Sequence, residues 1–358
     1  MTIEYLGRKE ALLKFIVPPI AEAARATGGR VADLFCGTAT VSEAFKREGL
    51  RVEANDQLML GAILARSILE ISEEPLMPAL RQQLMDHPDS RALALEGAPA
   101  YDQALALLNG LSPVEGYCWR SFSPASKEHS GVERMYFTRE NAGKIDAIRG
   151  QLSEWGSVIS DGERALLLRS LVEGISAVSN IAGTWGCYLK TWKSRALKPL
   201  RLTRVTIVPG ATDHHVSNDD AARIARSVRA SVAYIDPPYT KRQYAAYYHV
   251  LETVVRNDQP ALTGTTGLRD WKQDSSDWCY KRRAPAALQD LVSKLPSQHV
   301  FLSYNEDGQI SHDRILDIMG NFGDLEVHDT NYRRYKSSRK PHKGLLVKER
   351  LYHLRRPA

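Results

Sequence analysis

The sequence predicts an α/β fold, and three stretches carry that prediction. The apolar run Val232–Ile235 has the pattern of a buried parallel strand, and it stops at Asp236-Pro237-Pro238-Tyr239. The stretch Val31–Thr40 has the pattern of a strand, a tight turn and a helix start. A second strand pattern, Arg51–Ala54, follows and ends in Asn55-Asp56. In open α/β sheets ligands bind beyond the carboxyl ends of the strands, so these strand ends predict the active-site edge.

The end of the Val232–Ile235 strand combines an acid, two prolines and an aromatic ring. Proline cannot donate to a sheet ladder and keeps the residue before it extended, so the chain should leave the sheet at Asp236. The two prolines offer carbonyl acceptors without N–H donors, and Tyr239 offers a flat ring. The pattern suits a planar ligand that carries N–H donors. Taken alone, the same residues also fit a plain strand followed by a proline turn.

The first strand and its turn are typical of a nucleoside site. Gly37 lets the backbone approach a ligand closely, and an acid at the end of the next strand, Asp56, can accept both ribose hydroxyls. The spacing of the turn is not G-x-G-x-x-G, which argues against a dinucleotide.

Periodicity predicts the remaining elements in chain order. An amphipathic helix should open near Ala11, and a helix after the glycine turn should run to about Glu48, with Gly49 at its end. No strand of the main sheet is evident from about Glu73 to Arg201, so 1–72 and 202–358 should form the catalytic domain around a helical insertion, 73–201. The further expectations are helical structure over 58–101, loop over 105–126, helices over 140–155 and 163–181, a strand over 202–208, helices over 245–256, 286–295 and 310–319, and strands over 299–303, 325–330 and 345–354.

The 358 residues carry a net charge of +6, but two segments hold much more than that. Residues 184–204 contain six Lys or Arg and no acid, and residues 332–356 contain ten against one acid, Glu349. These segments carry +6 and +9, which leaves −9 for the rest of the chain. Basic zones with aromatic residues between the charges favour a polyanionic partner.

Other classes of protein are disfavoured. The four cysteines lie far apart in sequence, which excludes CxxC motifs and fits free thiols in a reducing cytoplasm. His214-His215 has no ligand cluster at metal spacing, so we expect no metal site. No apolar run reaches the length of a membrane span, and the first residues do not form a signal peptide.

The motifs together resemble the adenine-specific DNA methyltransferases of the Asp-Pro-Pro-Tyr, Dam-like type. The likeness covers most of the chain. It includes Tyr5-x-Gly7-x-Lys9, Asp33-Leu34-Phe35-Cys36-Gly37-Thr38 and Asp236-Pro237-Pro238-Tyr239. The middle of the chain, from Arg134-Met135-Tyr136-Phe137-Thr138 to Ser179-Asn180, is similar to a subgroup found with restriction systems. Ala39 departs from the family, which often has a second glycine there, and this leaves close backbone approach at the helix start in question.

The resemblance implies a Rossmann-like methyltransferase sheet with an antiparallel last strand, formed by 348–354, and a helical insertion that is a candidate DNA-contacting subdomain. It implies S-adenosyl-L-methionine as cofactor, double-stranded DNA as substrate, a cognate restriction endonuclease as a candidate partner, and a cytoplasmic, nucleoid-associated protein of bacterial or phage origin. The catalytic residues implied are Asp236, Pro237, Pro238 and Tyr239. The cofactor-binding residues implied are Tyr5, Lys9, Asp33, Phe35, Cys36, Gly37, Thr38, Asp56, Asp213 and Asp236. The DNA-binding residues expected are Lys190, Lys193, Arg242, Tyr244, Asn305, Arg333, Arg334, Lys336, Arg339 and Lys340.

Three alternatives stay open on the sequence. An RNA adenine methyltransferase would need the same pocket chemistry, and a catalytically silent DNA-binding subunit would need only the basic zones. A cytosine amino methyltransferase is disfavoured, because such enzymes usually carry serine where Asp236 stands. The sequence does not decide whether the helical insertion or the polar stretch 260–280, with Arg269, Trp271, Lys272 and Trp278, reads the target bases.

Overall fold

The structure, a computed structural model, describes residues 9–86, 97–333 and 346–357. Within these ranges the strands form one sheet in the order β3-β2-β1-β4-β5-β7-β6. The strands are β1 (Arg30–Asp33), β2 (Arg51–Asn55), β3 (His215–Ser217), β4 (Val232–Ile235), β5 (His299–Asn305), β6 (Asp324–Arg333) and β7 (Leu346–Arg355).

The apolar strand β4 lies at the centre of this sheet. All four of its residues are buried, and it pairs in parallel with β1 on one side and β5 on the other. A continuous apolar run is what a strand covered on both faces requires. Strand β7 runs antiparallel between β5 and β6. The predictions of an α/β fold and of an antiparallel last strand are confirmed.

The helices alternate with the strands and extend through the middle of the chain. They are α1 (Leu13–Ala26), α2 (Thr40–Arg47), α3 (Met59–Leu69), α4 (Pro78–Asp86), α5 (Ala100–Gly110), α6 (Tyr117–Phe122), α7 (Ser126–Ser130), α8 (Arg139–Glu154), α9 (Asp161–Ala177), α10 (Ala221–Ile224), α11 (Tyr244–Tyr247), α12 (His249–Arg256), α13 (Ala284–Lys294) and α14 (His312–Gly320). Across the described part of the chain, no helix has both the length and the apolar character that crossing a membrane requires.

The chain divides into two compact units. The sheet unit comprises, among the described residues, 9–65, 208–244, 274–333 and 346–357. The helical unit comprises 66–86, 97–207 and 245–273. The separation of 73–201 as an insertion with its own function stays a prediction.

Helices cover both faces of the sheet unit. On one face Ala233, Val300 and Leu302 pack with Leu288 of α13 and Ile315 of α14 in a buried apolar core. Because successive strand residues point to opposite faces, Tyr234 lies on the other side. There its ring meets Phe45 of α2 edge-on, with the centroids 6.1 Å apart.

Helices α8 and α9 confirm the helices predicted over 140–155 and 163–181, although α9 ends at Ala177 and not at 181. Each begins at a side-chain cap: Thr138 accepts a hydrogen bond from the backbone N–H of Asn141, and Ser160 accepts one from that of Glu163. The Glu163 carboxylate accepts the N–H of Ser160 in return, at 2.8 Å, which completes a capping box.

Three predictions for the helical regions were wrong in part. The stretch 105–126, expected as loop, contains the end of α5 and all of α6. The helical pattern over 58–101 is broken between Leu69 and Pro78, and the helix expected over 245–256 is interrupted at Tyr248. Glycines and prolines in 105–126 were read as loop residues, although Gly110 ends a helix and Gly116 precedes one.

The strand expected over 202–208 is wrong as well. Leu202, Val205 and Val208 are buried, but this stretch pairs with no strand among the described residues. Its backbone is bound by side chains instead. The amide of Asn109 bonds both the N–H and the carbonyl of Leu202, at 2.8 and 2.9 Å, and the Tyr101 hydroxyl accepts the N–H of Val205. An apolar pattern indicates that a segment is buried, but it does not show which groups hydrogen-bond to the backbone N–H and carbonyl groups of that segment.

The capping box predicts a measurable contribution to stability. Ser160→Ala removes the acceptor for the Glu163 N–H and should lower the free energy of unfolding by about 1 kcal/mol. Urea unfolding followed by far-UV circular dichroism measures the change. Ser311→Ala is the matched control, because Ser311 precedes α14 without making a side-chain cap bond. Equal losses in the two variants would contradict the capping role.

Candidate active site

Asp236 follows the last residue of β4 and faces a buried ammonium group. Its side chain is 15% exposed, and its Oδ1 lies 3.1 Å from Nζ of Lys9, which is itself 4% exposed. The Lys9 ammonium also lies 4.9 Å from the ring centroid of Tyr239. Lys9 therefore contacts both the acid and the aromatic residue of the Asp-Pro-Pro-Tyr stretch, as a charge rather than as a solvated side chain.

A second carboxylate, Glu349 on β7, completes this charged group and was not anticipated. It is fully buried, and its Oε1 accepts from Lys9 Nζ at 2.8 Å and from Ser303 Oγ at 2.7 Å. Its signal in the sequence is that it is the single acid within the basic segment 332–356. A lone acid on an apolar strand pattern is a candidate for a buried ion pair.

Burial and neighbouring charge set the ionisation of this group. Burial raises the pKa of Asp236 to about 6; Lys9 opposes the rise and Glu349 adds to it. Burial alone would lower the pKa of Lys9, but Asp236, Tyr239 and Glu349 together hold that pKa well above its ordinary value. Lys9 is therefore charged at neutral pH, and Asp236 is largely ionised.

The chain after Asp236 is fixed by bonds to its backbone carbonyls. The Cys279 thiol donates to the carbonyls of Pro238 and Arg242, at 3.8 and 3.2 Å, and the N–H of Gln309 donates to that of Tyr239 at 2.9 Å. The Tyr239 ring packs against Tyr304 with centroids 5.5 Å apart. These contacts hold the turn in one conformation although its prolines donate no hydrogen bonds.

The glycine turn after β1 is tied to the end of β2. Gly37 has a φ of 52°, which favours glycine, and its N–H donates to Asp56 Oδ2 at 2.8 Å. The other oxygen of Asp56 accepts the N–H of Leu58, also at 2.8 Å. Ala39 adopts a φ of 58° just before α2, so the departure from the family's glycine is accommodated at the cost of an uncommon conformation.

The other residues expected in this turn have local partners. Thr38 Oγ1 shares a hydrogen bond with Thr40 Oγ1 at 2.8 Å. Cys36 is buried, and its thiol lies 3.8 Å from the carbonyl of Gly61. Phe35 packs edge-on against Trp278, with centroids 5.5 Å apart. The structure therefore brings Lys9, Asp33, Phe35, Cys36, Gly37, Thr38, Asp56 and Asp236 to one edge of the sheet.

Asp33, the last residue of β1, is a buried acid with a raised pKa. Burial raises the pKa of its carboxyl to about 7, and Asp236 and Asp56 add to the rise. Ser42 donates to its Oδ2 at 2.6 Å, and its Oδ1 is buried without a hydrogen-bond partner among the described residues. The edge thus collects four acids, Asp33, Asp56, Asp236 and Glu349, of which the last two contact Lys9, and this excess of carboxylates suits a cationic ligand.

Asp213 was expected at this edge, and the structure places it elsewhere. Its carboxylate pairs with Arg30 at 2.5 Å and with Arg51 at 3.7 Å. Arg30 and Arg51 begin β1 and β2, so Asp213 lies at the amino ends of the strands, opposite Asp33 and Asp56. The error follows from the misplaced strand, because β3 comes after Asp213 and not before it.

The acid that does follow β3 is Asp219. The amide of Asn55, at the end of β2, bonds both the carbonyl of Asp219 and its N–H, at 3.0 and 3.2 Å. Asp219 therefore lies at the same sheet edge as Asp56. The sequence signal that would have found it is the run Asn218-Asp219-Asp220 directly after the short strand.

The residues expected to bind DNA differ in how exposed they are and in the hydrogen bonds that their side chains make. Lys190 and Arg242 are exposed, and Tyr244 is half-buried. Lys193 donates to the carbonyl of Ile181 at 2.7 Å within the helical unit. Asn305 is buried and its Oδ1 accepts the N–H of Asp307 at 3.1 Å, so its amide shapes the turn after β5. For Lys193 and Asn305 these contacts favour a structural role.

Several predicted residues lie outside the described part of the chain: Tyr5, Arg334, Lys336, Arg339 and Lys340. Arg333 ends β6, but its side chain is not described. In the stretch 260–280, Arg269 and Trp278 are buried, and Arg269 pairs with Asp258 at 2.6 Å. Of the residues that the sequence suggested could reach a partner, Arg269 is therefore held inside the helical unit, and of the two alternatives Trp271 and Trp278 only Trp271 is not buried.

Comparison with known proteins identifies the family. A family model described as D12 class N6 adenine-specific DNA methyltransferase matches residues 5–306. The chain belongs to this family. The resemblance inferred from the motifs is confirmed, and so is the methyltransferase fold class with its antiparallel last strands.

Curated relatives are similar over nearly all of the chain. Modification methylase StsI of Streptococcus sanguinis is 32% identical over 359 residues, covering 99% of this chain and 52% of the relative. Type II methyltransferase M.FokI of Planomicrobium okeanokoites is 34% identical, covering 94% and 50%. Type II methyltransferase M.NlaIII of Neisseria lactamica is 31% identical, covering 94% and 93%. The chain thus spans about half the length of the first two relatives and most of the third.

The raised pKa of Asp33 predicts how stability depends on pH. A carboxyl whose pKa is higher in the folded than in the unfolded chain stabilises most at pH values below its unfolded pKa. That contribution is lost as the pH rises through the folded pKa, about 7. Asp33→Asn keeps an acceptor for Ser42 but cannot ionise. The variant should gain at least about 3 °C in Tm relative to the parent between pH 5 and pH 8.

Differential scanning fluorimetry across this pH range checks the prediction. Asp324→Asn, which changes an exposed carboxylate on β6, is the control and should follow the parent. A Tm difference between Asp33→Asn and the parent that does not change with pH would refute the assignment.

Proposed function

We propose that this chain transfers a methyl group from S-adenosylmethionine to the exocyclic amine of an adenine flipped out of double-stranded DNA. The observation that carries the proposal is the anchored Asp236 at the end of the central strand, held by Lys9 and followed by two prolines. Family membership sets the reaction class, and the acid-rich edge supplies groups that fit both reactants.

The residues at the edge fit the cofactor. Asp33 carries a buried carboxylate oxygen without a hydrogen-bond partner among the described residues, and Asp56 has its carboxylate fixed at the glycine turn. Asp56 would bind the ribose hydroxyls, and Asp219, just after β3, would take the place among the cofactor-binding residues that the resemblance gave to Asp213. When bound, S-adenosylmethionine supplies an electrophilic methyl group on a sulfonium, and the surplus of carboxylates favours that positive charge.

The target amine needs help because its lone pair is delocalised into the adenine ring. Two acceptors on its two N–H groups favour a pyramidal nitrogen and localise the lone pair. The Asp236 carboxylate and the Pro237 carbonyl are the acceptors in this proposal. The Asp236 carboxylate also stabilises the positive charge that develops on the nitrogen as the methyl group arrives, which is a transition-state effect.

A paired adenine cannot reach a site at the sheet edge, so the base must leave the duplex. Stacking on the Tyr239 ring would offset part of the few kcal/mol that unpairing and unstacking cost.

Phosphates would be bound by the exposed Arg242 and Lys190 and by the basic segment from Arg333 to Lys340. We propose that the helical unit contributes such contacts, and that a restriction endonuclease of matching specificity is the biological partner.

The proposal is tested by transfer of labelled methyl groups to duplex DNA, single-stranded DNA and structured RNA. We expect incorporation into duplex DNA, with N6-methyladenine as the product and a fixed sequence context revealed by modified-base sequencing. Preferential incorporation into RNA would replace this proposal by the RNA alternative. Cofactor binding without turnover on any nucleic acid would favour the silent subunit.

Replacing Asp236 separates binding from chemistry. Asp236→Asn keeps the shape of the side chain and removes its charge, so kcat should fall by about 100-fold or more. The dissociation constant for S-adenosylhomocysteine should change little, because that ligand carries no sulfonium. Single-turnover kinetics and isothermal titration calorimetry measure the two quantities. Near-normal turnover by Asp236→Asn would exclude the proposed role.

A substitution at Gly61 in α3 should weaken binding of the cofactor. A Cβ at this position would lie 2.5 Å from Cγ of Asp56, so Gly61→Ala must displace that carboxylate. The affinity for S-adenosylhomocysteine should fall by about tenfold, the scale of one lost charged hydrogen bond. Gly320→Ala, where an added Cβ meets nothing within 4 Å, is the control. Unchanged affinity in Gly61→Ala would contradict ribose binding by Asp56.

A further inference from the structure

Glu349 is the most deeply buried acid near the active site. It is fully inaccessible on β7, in register with Asn305 of β5, and only its Oε1 is hydrogen-bonded among the described residues, to Lys9 and Ser303. The other oxygen, Oε2, is buried without a hydrogen-bond partner within that part of the chain. Burying a carboxylate costs free energy of desolvation unless a partner of opposite charge lies close to it, and the partner of Glu349 is Lys9.

Lys9 connects this acid to the Asp-Pro-Pro-Tyr turn. Its ammonium lies 2.8 Å from Glu349, 3.1 Å from Asp236 and 4.9 Å from the centroid of the Tyr239 ring. The lysine side chain is long and flexible, and its location depends on the charges around it. Asp236 alone could pull the ammonium toward the position where the substrate amine must bind, whereas Glu349 holds it from the side of β7.

We propose that Glu349 is a positioning residue for methyl transfer, which holds the Lys9 ammonium where it orients Asp236 and Tyr239 without neutralising the Asp236 carboxylate. This inference rests on the proposed function. Two carboxylates share one ammonium in this group, so a net negative charge remains for the amine that becomes positively charged during transfer. Without the charge of Glu349, Lys9 pairs with Asp236 alone, and Asp236 becomes a weaker acceptor.

The arrangement has a signature in the pH dependence of activity. The groups that influence the ionisation of Asp236 are Lys9 and Glu349, and Asp236 in turn influences Lys9, Asp33 and Tyr234. Burial raises the pKa of Asp236 to about 6, and Glu349 adds to that rise. Activity that needs the ionised Asp236 should therefore fall as the pH drops through about 6 in the parent enzyme. Removing the charge of Glu349 should move this fall to lower pH.

Glu349→Gln tests the proposal, because the amide keeps the shape and an acceptor oxygen but not the charge. We expect kcat to fall about tenfold and the acid limb of kcat/KM for duplex DNA to move about one pH unit lower. Binding of S-adenosylhomocysteine, measured by calorimetry, should stay within about twofold. Glu349→Asp keeps the charge on a shorter side chain and should retain the acid limb of the parent, with reduced kcat.

The matched control is Glu53→Gln. Glu53 is a buried acid of the same sheet, but its partners are the backbone N–H of Arg229 and the guanidinium of Arg30, and it is not among the groups that act on Lys9. Its variant should keep the parent profile. A double-mutant cycle with Lys9→Met then shows whether Glu349 acts through the lysine: in the Lys9→Met background, Glu349→Gln should no longer lower the acid limb to the same extent.

The outcomes separate the inference from the function on which it rests. Absence of adenine methylation by the parent chain would overturn the proposed function and this inference with it. Parent activity together with an unchanged kcat and acid limb in Glu349→Gln would overturn the positioning role alone, as would additive effects in the cycle with Lys9→Met. Should Glu349→Gln fail to fold, Glu349→Asp decides the question, because a parent-like kcat there would overturn the proposal.

Discussion

A buried ammonium between two carboxylates is the interaction on which the active-site geometry depends. Lys9 precedes the first helix, Asp236 directly follows the central strand and Glu349 lies on the last strand, so one side chain joins three distant parts of the chain. Charges buried in this way are costly to desolvate, and the cost is offset only when partners are close and oriented. The three charged side chains therefore stabilise only the arrangement of the three segments that brings the charges together.

This constraint gives the antiparallel strand β7 a role beyond completing the sheet. In its register with β5, Leu351 lies opposite Ser303 and Glu349 lies opposite Asn305. From this position on β7, the Glu349 carboxylate accepts hydrogen bonds from the Ser303 hydroxyl and from Lys9. A shift of the register by one residue would turn Glu349 to the other face of the sheet, where the apolar core lies. The fold and the charge arrangement of the site therefore specify each other.

The sequence predicted the elements whose signal is local. Val232–Ile235 is buried on both faces and reads as an uninterrupted apolar run, and α9 begins with a serine and a glutamate three residues apart. Prediction failed where burial depends on distant partners. Residues 202–208 are buried, but the side chains that bind their backbone, Tyr101 and Asn109, lie about a hundred residues earlier. The misplaced strand also put Asp213 at the carboxyl edge of the sheet, where the structure has Asp219.

The part of the site that sequence reasoning missed has the same cause. A motif search identifies residues that are contiguous, such as Asp236-Pro237-Pro238-Tyr239, because their spacing along the chain is itself informative. Glu349 is separated from Lys9 by 340 positions and sits among basic residues, so no spacing rule connects them. Only the pairing of β5 with β7 brings its carboxylate to the active-site edge.

Several basic residues of the segment 332–356 pair with groups of the protein itself. Lys348 and Arg350 pair with Asp329 across β6 and β7, at 3.5 and 3.4 Å, and Arg355 pairs with Glu326. Arg356 donates to the carbonyls of Val292 and Leu295. Four of the ten basic residues counted over 332–356 thus have partners within the sheet unit, and the two acids Asp329 and Glu326 offset two of the nine net positive charges. In the DNA complex that we propose, counterion release comes from charges that contact phosphate, so the four basic residues with partners in the sheet unit should add little to the salt dependence of binding.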